Sequence, residues 1–265
     1  MTADQPIGIF DSGLGGLTVA AAVRKLLPNE KIIYLGDTAR VPYGNRSPET
    51  IRTFAGQDAA FLISKNVKAI VAACNTVSAT ALTHLQEQFP GLHISGVITP
   101  GADAAAGARR IAVLGTRATI NSGAYVQALR ERYGNELEII TKQCPLFVPM
   151  VEEGILDGPI AREVIRHYLE KIPEPDTILL GCTHYPLLTG AINEHYNGKV
   201  RIVDSADAAA ADLKKYLEQA GLPAPADSHG SLQLYVSDIA SGFREQASRF
   251  LGTEVPEPGK VTLTD

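Results

Sequence analysis

Ala69-Ile70-Val71-Ala72-Ala73-Cys74-Asn75-Thr76 is an apolar run of strand length that ends in a thiol, an amide and a hydroxyl. Thr177-Ile178-Leu179-Leu180-Gly181-Cys182-Thr183-His184 repeats the pattern, with an imidazole in place of the last hydroxyl. Continuous apolar strands of this kind belong to parallel sheets covered on both faces. Further runs of the same sort lie outward in both directions. Strands are predicted at 7–10, 32–35, 69–73 and 94–97, then at 111–114, 137–140, 177–180 and 200–203. Longer segments with helical patterning separate them, among them 17–27, 50–64 and 77–88. This alternation indicates an α/β fold with mostly parallel sheets.

Four predicted strands precede Thr99-Pro100-Gly101 and four more precede Asp204-Ser205. Each cysteine follows the third strand of its set. Two similar α/β sandwich domains are therefore expected. The expected division is 1–98 plus 206–265 for a discontinuous first domain and 99–205 for the second. Ser47-Pro48-Glu49 reads as a helix start, with an N-cap, a proline at the first helical position and an acidic first turn. Ser205 is a candidate cap for the alanine-rich helix after it. Residues 222–228, with two prolines, read as a loop.

The 265 residues are 45% hydrophobic and 20% charged, with a net charge of −5. No apolar run approaches the roughly 18 residues that mark a membrane span. The start, Met1-Thr2-Ala3-Asp4-Gln5-Pro6, lacks a basic, apolar leader, and it leaves little room for an N-terminal regulatory extension. The acidic balance, without a dense basic run, argues against nucleic acid as a partner. Three cysteines, with no Cys-x-x-Cys, fit neither a disulfide framework nor a structural zinc site. A reducing cytoplasm is the expected setting.

Several motifs fall at the C-terminal ends of predicted strands, the edge where open α/β sheets bind ligands. Asp11-Ser12-Gly13-Leu14-Gly15-Gly16 is either a tight strand-to-helix turn or a ligand loop. It is neither the dinucleotide fingerprint nor a P-loop. Gly36-Asp37-Thr38-Ala39-Arg40-Val41-Pro42-Tyr43-Gly44 is a polar loop on the same edge, a plain connection or a binding segment. Cys144, between Gln143 and Pro145, reads as a small buried hydrophobe. Glu152 and Glu153 read as acids in the first turn of a helix, or one of them enters the cleft. His84, His93, His167, His195 and His229 carry no partner signature. His184 differs, standing two residues from a candidate catalytic thiol.

Together, Asp11 to Gly16, Asp37 to Gly44, Cys74-Asn75-Thr76 and Gly181-Cys182-Thr183-His184-Tyr185-Pro186 closely resemble the glutamate racemases. That group belongs to the cofactor-independent aspartate/glutamate racemase family. The resemblance implies two α/β domains facing across a cleft, with Cys74 and Cys182 as the two acid/base residues. It implies that Asp11 assists Cys74, that His184 assists Cys182, and that Glu152 aids the second site. It places Asp11, Ser12, Pro42, Tyr43, Gly44, Asn75, Thr76, Thr119, Thr183 and His184 at substrate-binding positions. It further implies no cofactor, glutamate as substrate, D-glutamate supplied for peptidoglycan synthesis, and a homodimer.

Such chemistry has a physical logic. Racemisation removes a proton from one face of an α-carbon and returns one to the other, so two bases on opposite sides are needed. A thiol, ordinarily near 8.5, must be biased toward thiolate, and helix N-termini are expected to do this at both cysteines. A protonated His184 would add to that bias at Cys182. Asp11, acting only as a charge, would oppose it at Cys74, so a proton-accepting or orienting role is expected instead. Backbone N–H groups and the hydroxyls of Ser12, Thr76 and Thr183 are the expected holders of substrate carboxylates and developing charge. An aspartate or other amino-acid racemase is the nearest alternative. A single-cysteine hydrolase using His184 as base, or a non-catalytic binding module, are alternatives of other classes.

Overall fold

The computed structural model describes residues 1–263. The chain begins β1 (Ile7–Asp11), α1 (Leu17–Leu26), β2 (Lys31–Gly36), α2 (Pro48–Ser64), β3 (Ala69–Ala72), α3 (Asn75–Thr80), α4 (Leu82–Gln88), β4 (His93–Gly96) and α5 (Ile98–Ala104). It continues with β5 (Arg110–Gly115), α6 (Arg117–Asn121), α7 (Ala124–Tyr133), β6 (Glu138–Gln143), α8 (Phe147–Glu152), α9 (Gly158–Leu169), β7 (Thr177–Gly181), α10 (Thr189–His195) and β8 (Arg201–Asp204). It ends with α11 (Ser205–Ala220), β9 (Ser231–Val236), α12 (Phe243–Leu251) and β10 (Gly259–Lys260). Single 3-10 turns occupy Tyr43–Asn45 and Tyr185–Leu188.

Two sheets result, with strand orders β10-β9-β2-β1-β3-β4 and β6-β5-β7-β8. Every pairing is parallel among the described residues. Set side by side, β2-β1-β3-β4 and β6-β5-β7-β8 have the same order. The two halves therefore share one topology, and Cys74 and Cys182 leave equivalent strands, β3 and β7. The eight expected strands all form, within about three residues of their predicted ends. The first sheet is longer because the tail returns to it: β9 adds beside β2, and β10 beside β9.

Why these residues build these strands follows from burial. β1 and β7 are buried at every position, as the central strands of layered α/β sheets must be. β6 lies at an edge and has no fully buried residue. The largest core unites both halves. Ile7 and Ile9 of the first sheet, Leu114 and Ile178 of the second, and Leu213 and Leu217 of α11 belong to one apolar cluster. Helix α11 packs against both α1 and α5, so apolar contact joins the halves. Separate cores lie on the outer faces, under α2 in the first half and around Tyr125 and Leu129 of α7 in the second.

Some helices depart from expectation. Ser47 caps α2 by accepting from the Thr50 N–H at 3.3 Å, as its motif implied. Ser205 does not cap α11; Asp204 does, accepting from Ala206 N at 2.9 Å. The expected 77–88 helix is two helices broken at Ala81, whose backbone turns to φ −129°. Thr80 Oγ1 bonds back to the Thr76 carbonyl at 2.7 Å, a contact that bends helices. Thr99-Pro100-Gly101, read as a divide, lies inside α5, where Pro100 falls in the first turn and costs no helical hydrogen bond. Residues 222–228 form the loop that was expected.

Candidate active site

The C-terminal edges of the two sheets meet, and the candidate residues gather where they do. Asp11, Ser12, Cys74, Asn75, Thr76, Thr119, Cys182, Thr183 and His184 are all more than nine-tenths buried. Contacts cross between the halves here. Thr183 Oγ1 donates to Asp11 Oδ1 at 3.4 Å, and Thr76, Thr116 and Thr119 bring three hydroxyls within 3.4 Å of one another. Each hydroxyl is donor and acceptor, so this cluster can turn its protons to suit a ligand. Gly15 shows how closely the halves approach. A Cβ at that position would lie 2.4 Å from Thr183 Oγ1 and 2.5 Å from His184 Nδ1, so a side chain there would push them apart.

Cys74 stands at the N-cap of α3, and its Sγ donates to Ser12 Oγ at 3.6 Å. Its expected acidity does not follow. Burial, and then the Asp11 carboxylate, push the thiol up to about 12, against weaker help from the Val77 N–H and Ser12. A helix of six residues offers too little compensating charge. Asp11 is itself raised by burial, opposed by His184 and by the N–H groups of Gly13 and Gly16. It accepts hydrogen bonds from Gly13 N, at 3.0 Å, and from Thr183 Oγ1. Ser12 is the hydrogen-bond partner of the Cys74 thiol.

Cys182 differs in its surroundings. No α-helix begins directly after it; a single 3-10 turn starts at Tyr185, and α10 only at Thr189. His184 Nδ1 lies 4.0 Å from Cys182 Sγ, and its Nε2 lies 3.2 Å from Glu152 Oε1. Burial pulls the imidazole down, but Cys182 and Glu152 together outweigh it and raise His184 to about 10. His184 is therefore an imidazolium at neutral pH. Glu152 ends α8 rather than opening a helix, which brings its carboxylate to His184.

The loop after β2 is held from behind. Arg40 bridges Asp37 and Asp58, and the Tyr43 hydroxyl bonds both carboxylates. Burial, together with the charge of Asp37, keeps Asp58 well above the ordinary carboxylate range. Tyr43 thus has its hydroxyl committed to Asp37 and Asp58, and Pro42 is exposed. Gly44 lies against Thr116.

Sequence reasoning missed three supports. Thr116 joins the hydroxyl cluster and caps α6. Tyr125 OH donates to Asn75 Oδ1 at 2.6 Å. From the tail, Phe250 of α12 meets the His184 ring edge-on at 5.0 Å, and Gln246 donates to the Glu152 carbonyl at 3.1 Å. β9 leads into Ser237, which accepts from Ala39 N and donates to Asp37. Cys144 is buried, and its carbonyl accepts from Tyr185 OH. Among the described residues, no group of three or more His, Cys, Asp or Glu is placed to hold a metal ion.

Two buried thiols at matched positions of two like halves, with hydroxyls and carboxylates around them, make up the candidate site. A profile of the Asp/Glu/hydantoin racemases matches residues 17–213, and the chain belongs to that family. It is 46% identical over 262 residues to the glutamate racemase of Chlorobaculum tepidum, covering 97% of this chain and 96% of that one. With the glutamate racemase of Aquifex aeolicus the identity is 47% over 260 residues, covering 97% of each. The crystal structure of glutamate racemase from Francisella tularensis in complex with D-glutamate superposes with a TM-score of 0.93 at 39% identity, covering 98% of both chains.

Proposed function

We propose that this chain interconverts L- and D-glutamate by cofactor-independent proton transfer between Cys74 and Cys182. The observation that carries the proposal is the matched placement of the two cysteines, in a chain aligned almost end to end with glutamate racemases. At neutral pH Cys74 holds its proton. His184, charged and 4.0 Å from Cys182, is the counter-ion for a thiolate there. One sulfur removes the α-proton while the other delivers one to the opposite face. A turnover leaves Cys182 as thiol and Cys74 as thiolate, and the reverse reaction starts from that state. Asp11, raised by burial, accepts or returns the Cys74 proton.

Ser12, Asn75, Thr76, Thr119 and Thr183, with the backbone of 42–44, hold the substrate's carboxylates, and Glu152 keeps His184 charged. With both sulfurs buried, a substrate enters only when the halves part, and closure then excludes water. The same reading takes 1–98 plus 206–265 and 99–205 as the two domains, and expects a cytoplasmic homodimer that supplies D-glutamate for peptidoglycan. No helix among the described residues is long and apolar enough to cross a membrane. The test is circular dichroism of L-glutamate and L-aspartate solutions incubated with the purified protein and no additive. Glutamate should lose its signal faster. Faster loss with aspartate, or a covalent acyl-enzyme on one cysteine, would overturn the proposal.

A further inference from the structure

Tyr125 lies in the first turn of α7, in the second half, and is 2% exposed. Its hydroxyl reaches across to Asn75, the residue after Cys74. Its ring packs on the other cysteine's strand. A Cβ at Gly181, next to Cys182, would lie 3.0 Å from Tyr125 Cε2 and 2.8 Å from the Leu114 carbonyl. One side chain therefore rests against the approach to Cys182 and bonds the neighbour of Cys74.

Asn75 has its own peculiarity. It is 2% exposed, its Oδ1 accepts from Tyr125, and its Nδ2 has no hydrogen-bond partner. Burying an amide donor unpaired costs about 1–3 kcal/mol, which selects for a group that uses it. A carboxamide also turns through 180° with almost no change of shape, exchanging donor for acceptor. Something must decide which end faces the cleft. In the observed arrangement the phenol donates to Oδ1, which leaves Nδ2 on the side away from it.

We propose that Tyr125 is a positioning residue that fixes the Asn75 carboxamide with its NH2 toward a carboxylate of the substrate. It acts through Asn75 and touches no reacting atom. Because the bond joins the two halves, the amide is oriented only while they are apposed. The inference rests on the racemase reading and adds a specificity element to the same site.

A double-mutant cycle tests it, with racemisation kinetics on glutamate for the unmodified chain, Tyr125→Phe, Asn75→Ala and the double variant. Tyr125→Phe should raise KM about tenfold, the scale of one buried hydrogen bond, and change kcat by less than about threefold. Asn75→Ala should raise KM at least as much, and adding Tyr125→Phe to it should do nothing further. Additive effects, or a fall in kcat at constant KM, would overturn the inference. Should Tyr125→Phe fail to fold, a crystal structure of the unmodified chain with D-glutamate decides. Nδ2 on a ligand carboxylate and Oδ1 on Tyr125 is the required arrangement, and the turned amide overturns it. Failure of the unmodified chain to racemise glutamate would count against the functional reading. Normal racemisation with an additive cycle would sink this inference alone.

Discussion

Cys74 and Cys182 leave equivalent strands of two sheets with the same order, yet they sit in opposite electrical surroundings. Around Cys74 are burial and a carboxylate, which hold the proton on sulfur. Beside Cys182 is an imidazolium backed by a second carboxylate. Backbone position is common to the halves; the two or three residues around each thiol are not. A shared fold thus places two thiols at matched strand ends, and local side chains give them unlike electrical surroundings. In a two-base reaction that difference is useful, since one sulfur must begin as acid and the other as base.

The largest test removes either member. Cys74→Ala and Cys182→Ala should each lower racemisation by on the order of 10³-fold or more, read by circular dichroism. Residual solvent-deuterium exchange should then be confined to one enantiomer, a different one for each variant. Near-normal racemisation by either variant breaks the comparison outright.

Next is the charge that distinguishes the second site. His184→Asn should lower kcat/KM about a hundredfold. The pH dependence has a definite sign. His184 rises from 6.5 to about 10 on folding, so its contribution to stability is full below about pH 6.5, fades above it, and is gone beyond about pH 10. Urea unfolding midpoints of the two proteins should converge over that range. A gap that widens toward alkaline pH would contradict the assignment.

Glu152→Gln is a finer probe. It removes part of what raises His184, so the alkaline limb of the pH–rate profile should move to lower pH, with a loss of about tenfold or less near neutrality. An unmoved limb would show that Cys182 alone holds the imidazolium. The smallest effect is expected at Phe250→Leu. Stability should fall by about 1.5 kcal/mol or less and kcat/KM by only a few-fold, since the His184 ring loses one packing face.

The sequence was legible where burial leaves a strong mark. Eight strands were readable because α/β layers demand continuous apolar runs, and β1 and β7 are buried throughout. Strand β9 was not read, since Ser231-Leu232-Gln233-Leu234-Tyr235-Val236 alternates polar with apolar and lacks such a run. Helix α12 hid for a related reason, with a mean composition that is polar and apolar residues on one face only. At the site, Asp11, Cys74, Cys182 and His184 could be listed as candidates because each adjoins a strand end. Their charge state could not, because it is set over long sequence separations: Asp11 acts on Cys74, and Glu152 on His184. Tyr125 was silent for the same reason, its partner lying 50 residues away.

The returning tail has a consequence for how the molecule comes into being. A ribosome that has released residue 204 has already delivered both thiols, Asp11, Glu152 and His184. The nascent chain still lacks Phe250 behind the imidazole and Ser237 behind the loop of residues 37–44. The supports behind the imidazole and that loop therefore arrive last, as late as residue 251, well after the candidate reacting groups have emerged.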